Sequence, residues 1–190
     1  MDRREAITQV SWLLGGTIVG GSIFLESGCK TSTEKAKDFF DTETIALLNE
    51  MGETILPKTS TPGAKEAKVG EFMAVMVKDC YTKKDQGIFR EGITRLEKRC
   101  KEDTGKTFME CTPEERTKFF VKMDGLQKAY MDAKTAEQPS HYFRMVKELT
   151  LLGFFTSEIG ATKALRYIET PGRYDGNVPY TKGDRMWANA

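Results

Sequence analysis

Residues 112–130 read TPEERTKFFVKMDGLQKAY, and this stretch decides the class of fold. Thr112 places a hydroxyl at a helix N-cap, Pro113 stands at the first helical position and Glu115 at the third. Together they satisfy or remove N–H groups that a helix start otherwise leaves unpaired. Phe119, Met123, Leu126 and Tyr130 then recur at 4-3-4 spacing, the apolar stripe of an amphipathic helix. Gln138-Pro139 breaks the pattern.

The same periodicity extends in both directions. A first helix is predicted from about Thr42 to Leu56, with Ile45, Leu48, Met51 and Ile55 on one face and Pro57 as its stop. Lys58 to Gly63 is a turn rich in Thr, Ser, Pro and Gly. A second helix is predicted from Ala64 to Tyr81, facing Val69, Phe72, Val75 or Met76, and Cys80 inward. Thr82 with Asp85 caps a third, whose stripe is Phe89, Ile93, Leu96 and Cys100, with Gly105 in the loop beyond. After Pro139, Ser140 is the expected cap of a last long helix reaching Ser157, lined by Phe143, Val146, Thr150, Gly153 and Phe154. The second half of that helix, Leu149 to Phe155, is apolar nearly all round, which suits the middle of a bundle or the underside of a partner.

Beyond Tyr167 the chain is irregular, aromatic and rich in Gly and Pro. Strand alternation and internal repeats are absent. The expected architecture is all-α: a compact bundle of five or six helices with an extended irregular C-terminal tail over 168–190. The 190-residue length, 39% hydrophobic and 30% charged content suit one soluble domain. Charge is nearly balanced at +1, with acids and bases interleaved, as from Glu91 to Arg95. Nucleic-acid binding needs a concentrated basic face, and none is present.

The N-terminus reads MDRREAITQVSWLLGGTIVGGSIFLESGC. The pair Arg3-Arg4 precedes an apolar run from Val10 to Leu25 that is too short and too Gly-rich for a membrane span. This is the pattern of a twin-arginine (Tat) signal over residues 1–28; an ordinary secretory signal with an incidental arginine pair is the alternative. Ser27-Gly28-Cys29 matches the end of a lipoprotein box and makes Cys29 a candidate for lipidation, although Glu26 stands where that box carries an aliphatic residue. Residues 29–40 read as a polar tether and 41–190 as the folded domain.

Chemistry-bearing motifs are sparse. No C-x-x-C, C-x-x-C-H, H-E-x-x-H, G-x-G-x-x-G or phosphate-binding loop occurs, so no catalytic, cofactor-binding or metal-ligating residue is assigned. His141 is the one histidine, at a helix start, where a capping role is commoner than catalysis. Asp79, His141 and Glu158 remain as candidate groups for an enzyme of unrecognised type. Cys100 and Cys111 flank a short polar loop; they either pair in an oxidising compartment or sit as buried free thiols. Twin-arginine export carries folded proteins, so a chain with no cofactor site of its own points to a signal that serves a cofactor-loaded partner.

Three stretches carry a family likeness. They are the leader with Leu13-Leu-Gly-Gly-Thr17; Glu53-Thr-Ile-Leu-Pro57 with Thr61-Pro-Gly-Ala-Lys-Glu66, Phe72 and Asp79-Cys-Tyr81; and Leu149-Thr-Leu-Leu-Gly-Phe-Phe-Thr-Ser-Glu158 with Pro171-Gly-Arg-Tyr174, Lys182-Gly183 and Trp187. In this order and combination the chain resembles the gluconate 2-dehydrogenase subunit 3 family. The resemblance implies a small non-catalytic subunit that accompanies a large FAD-bearing dehydrogenase of the glucose–methanol–choline type, often with a haem c cytochrome as electron acceptor. It also implies a role in export, maturation and membrane association at the periplasm or cell envelope. A partner is expected on the late aromatic and arginine residues, with Phe154, Phe155, Arg173, Tyr174 and Trp187 as candidates. The tail can instead pack on its own bundle. The competing functional reading is a stand-alone envelope lipoprotein that binds a small ligand between its helices.

Overall fold

A computed structural model of the chain describes residues 39–170, 172–173 and 176–188. Among these residues there are five α-helices: α1 Thr42–Ile55, α2 Val69–Cys80, α3 Lys83–Thr104, α4 Pro113–Ala133 and α5 Tyr142–Thr156. A 3-10 turn, Phe108–Glu110, precedes α4, and a π turn, Gly160–Ala164, follows α5. Among the described residues the only β pairing is an isolated bridge between Arg166 and Trp187, so the all-α expectation holds.

Most starts form where local chemistry directs. Asp41 caps α1, accepting the Thr44 N–H at 2.6 Å. Thr82 caps α3, and Gly105 ends it in the left-handed conformation with φ 75°. Thr112 and Glu115 form the capping box of α4, with the Glu115 carboxylate accepting the Thr112 N–H at 2.8 Å. The last helix departs from expectation. His141, not Ser140, caps α5: its Nδ1 accepts the Phe143 N–H at 3.2 Å.

The start of α2 also differs. Lys68 takes a left-handed backbone at φ 54°, which stops the helix from running back to Ala64. Lys68 offers no side-chain cap. The cap comes from α1: Asn49 Oδ1 accepts the Gly70 N–H at 2.8 Å and its Nδ2 donates to Glu71 Oε2 at 2.9 Å. A Cβ on Gly70 would lie 2.6 Å from the Ile45 carbonyl oxygen, so glycine sets how closely α1 and α2 cross. That crossing rotates α2: Val69, Met73 and Val77 are buried, while Cys80, expected inside, is exposed.

Helix α5 touches each of the other four helices and sits at the centre. Its stripe of Phe143, Val146, Thr150, Gly153 and Phe154 is buried, as expected, and Thr150 satisfies its hydroxyl on the Val146 carbonyl at 2.8 Å. Phe120 of α4 meets Phe143 edge-on and stacks on Phe108, both at 5.0 Å between centroids. The α4 stripe is narrower than predicted. Phe119 and Met123 are buried, but Leu126 and Tyr130 are exposed and Gln127 lies inside in their place. The folded domain begins earlier than expected. Phe40, placed in the tether by its neighbours' polarity, is 5% exposed and packs against Phe89 with centroids 6.0 Å apart.

Candidate interface and the predicted site residues

The outward side of α5 is apolar. Leu151 is 43% exposed, Leu152 46% and Phe155 41%. These positions share one helical face, since residues three and four apart are neighbours. Phe154 points the opposite way. At 4% exposed it belongs to the core, its ring edge-on to Phe155 at 5.1 Å, so it is not available to a partner. The run LTLLGFF therefore divides into a core half and an exposed half. Its all-round apolarity was the only signal in the sequence for Leu151 and Leu152, which the interface candidates omitted.

The tail folds back on the chain. Arg166 donates its N–H to Met186 O at 2.8 Å and accepts the Ala188 N–H at 2.7 Å. Its guanidinium pairs with Asp184 at 3.0 Å and lies 5.4 Å over the Trp187 ring. Arg185 donates to the Lys163 and Thr162 carbonyls at 2.8 and 3.2 Å, closing the end of the π turn. Trp187 is thus held by its own chain while keeping an exposed side, and Arg173 is exposed. Tyr174, the leader arginines Arg3 and Arg4, Cys29 and the tether up to residue 38 lie outside the described residues.

Motif residues that carry the family likeness turn out to shape a corner. Glu53 accepts the backbone N–H of Lys58 at 2.8 Å and of Lys65 at 2.9 Å, pinning both ends of the loop after α1. A Cβ on Gly63 would lie 2.3 Å from the Glu53 carboxylate oxygens, so this glycine lets the loop close over the acid. Beside it Glu50 pairs with Lys65 and, at 2.6 Å, with Arg116. Burial pushes the Glu50 carboxyl up, but the two cations override it and hold it below its ordinary range. Arg116 also donates to Phe108 O at 2.9 Å and Met109 O at 2.8 Å. Neither Asn49 nor Arg116 was visible as a key contact from the sequence, because each acts on a residue far away along the chain.

The cysteine reading gains geometry. Cys100 and Cys111 Sγ atoms stand 3.8 Å apart, both buried and both reduced, with Thr104 Oγ1 3.5 Å from Cys111 Sγ. Burial, together with the contact to Cys111, pushes the Cys100 thiol up to about 11. Asp79 and Glu158 are exposed, and His141 is engaged as a cap between the rings of Tyr130 and Tyr142. Among the described residues no group of three or more His, Cys, Asp or Glu can hold a metal ion. No described helix is long and apolar enough to cross a membrane. An open hollow of about 430 Å³ lies between the start of α1 and α3, beside Phe39, Phe40, Thr44 and Arg90.

Fold and surface together define an all-helical domain whose exposed apolar side chains lie on α4, on the central helix α5 and in the tail. The sequence model of the family described as Gluconate 2-dehydrogenase subunit 3 matches residues 42–172, and the chain belongs to that family. The match covers every described helix and stops within the tail. No curated protein and no solved structure matches the chain.

Proposed function

We propose that this chain is the non-catalytic accessory subunit of an exported flavin dehydrogenase complex, and that it assists export, maturation and membrane association of the catalytic subunit. Membership of the subunit 3 family is the observation that carries this reading. In it, a large subunit of the glucose–methanol–choline oxidoreductase type holds FAD and performs the oxidation, and a cytochrome c subunit with haem accepts the electrons. The twin-arginine leader, with Arg3 and Arg4, takes the folded assembly to the periplasm or cell envelope, and lipidated Cys29 tethers it there.

The exposed face of Leu151, Leu152 and Phe155 is the surface that receives the flavin subunit. Apolar side chains contiguous on one helix and bordered by charge, here Glu148 and Lys147, are the usual centre of a protein interface. The experiment is co-expression of this chain with a flavin dehydrogenase of the glucose–methanol–choline type from the same source, followed by fractionation and co-purification. Replacing Arg3-Arg4 by lysines is expected to leave both proteins in the cytoplasm. Leu152→Glu with Phe155→Glu is expected to release the yellow partner while the helical circular-dichroism signal stays intact. Normal export and flavin co-purification with both variants would sink the proposal.

A further inference from the structure

We infer that Cys100 and Cys111 are a convertible thiol pair, and that outside a reducing compartment they close into a disulfide that locks the α3–α4 corner. The observation is placement. Cys100 lies in the penultimate turn of α3, and Cys111 lies between the 3-10 turn and the N-cap of α4. Their sulfurs touch at 3.8 Å in the reduced form, so closing the bond asks for side-chain rotation and a small approach, not a change of fold. The third described cysteine, Cys80, is exposed at the end of α2, its sulfur 3.9 Å from Met76 sulfur.

The corner is already held in the geometry that closure needs. Lys106 reaches Glu115 at 2.9 Å, and Lys122 reaches Asp103 at 2.6 Å. Glu110 accepts the Thr107 N–H at 2.8 Å, and Thr104 donates to Cys100 O at 2.7 Å. These contacts hold the 101–110 segment in one conformation, so the thiols face each other before any bond exists. A covalent link then removes the same freedom from the unfolded chain, which is where a disulfide acts most.

The step is a thiol–disulfide exchange with a protein or small-molecule disulfide, R–S–S–R, as oxidant. One cysteine thiolate attacks a donor sulfur, forms a mixed disulfide and expels R–S⁻. The second thiolate attacks the cysteine sulfur of that mixed disulfide, forms the Cys100–Cys111 bond and expels the other R–S⁻. The two thiol protons end on the two expelled thiolates. The chain loses two protons and two electrons, and the donor becomes two R–SH. Burial of both sulfurs makes the first attack slow in the closed corner, so exchange proceeds through local opening at the end of α3 and the test runs to equilibrium. The sequel in the cell rests on the export reading; the chemistry of the pair does not.

The test uses the purified full chain. It is equilibrated with oxidised glutathione, quenched, alkylated under denaturing conditions, digested and mapped by mass spectrometry. The expected product links the Cys100 and Cys111 peptides, while Cys80 carries a glutathione adduct; a Cys80→Ser chain gives the same link. The oxidised chain is expected to melt about 5–10 °C above the reduced one, the size that closing a loop of about a dozen residues confers on a domain of this length. Recovery of Cys100 and Cys111 as alkylated thiols at equilibrium overturns the inference. So does a link from either of them to another cysteine, or a cross-linked chain that melts no higher than the reduced one. None of these outcomes depends on whether the leader exports anything, so failure here and failure of the accessory-subunit reading are told apart.

Discussion

His141 caps α5 only while its Nδ1 is unprotonated, because that nitrogen accepts the Phe143 N–H. Burial lowers its pKa from the ordinary value. The unfolded chain keeps the ordinary value of about 6.5, so it takes up the proton first as pH falls. Stability from this group is therefore complete above about pH 6.5 and lost as pH drops through the lowered folded value. Between about pH 7.5 and about pH 5 the wild-type melting temperature is expected to fall further than that of His141→Asn, which keeps an acceptor at the cap without titrating there. Parallel curves would show that the cap does not depend on the histidine's charge. Arg116 makes the other decisive single-residue contact. Its fork serves Glu50, Phe108 O and Met109 O at once, and its plane lies 5.3 Å over the Phe108 ring. Lysine keeps the charge but cannot reach three acceptors in that plane. Arg116→Lys is expected to cost about 2–3 kcal/mol in denaturant unfolding, the size of hydrogen bonds to charged groups lost at a shielded site. A loss below about 0.5 kcal/mol would place the pair with ordinary surface bridges.

At the scale of elements, the α1–α2 crossing is the point where the bundle has least slack. Alanine at Gly70 gains about 1 kcal/mol of helix propensity. Its methyl would also sit 2.6 Å from Ile45 O and 2.8 Å from Asn49 N, both backbone atoms that cannot swing aside. Separating the helices strains the Asn49 cap and opens the core beneath Val69 and Met73, and overpacking of this kind costs about 1–3 kcal/mol. The repulsion wins: Gly70→Ala is expected to destabilise the domain, read as a lower denaturant midpoint. A more stable variant would mean that the helices part freely. The same reasoning explains why α5 keeps apolar residues on both sides. One side fills the space between the other four described helices, and on the other Leu151, Leu152 and Phe155 are exposed.

For the whole molecule, the boundary of the domain follows from burial and not from polarity. A chain beginning at Phe39 keeps Phe40 against Phe89 and keeps the Asp41 cap, so it is expected to melt like the full chain. A chain beginning at Thr42 loses both, at a cost of about 3–5 kcal/mol for the aromatic plus about 1 kcal/mol for the cap. Equal melting of the two truncations would return Phe40 to the tether. At the other end, Arg166, Asp184, Arg185 and Trp187 bind the tail to the turn after α5. The tail therefore completes this chain's own surface as well as standing near any interface.

The amino-acid order alone determined that the chain is helical, where α1, α3 and α4 begin, and which sides of α3 and α5 face inward. These are local matters: a Thr-Pro-Glu-Glu start or a 3-4 stripe acts within a few residues, so it can be read without knowing the rest. The family likeness was legible too, since it rests on residue order. Tertiary structure decided the face that α2 buries, the capping of α2 by Asn49, the reach of Arg116 and the division of LTLLGFF into Phe154 inside and Leu151, Leu152 and Phe155 outside. It also brought Cys100 and Cys111 to 3.8 Å. Each of these depends on which helix lies opposite and how closely the backbones approach. That is set by packing many side chains together, and no periodicity within one segment contains it.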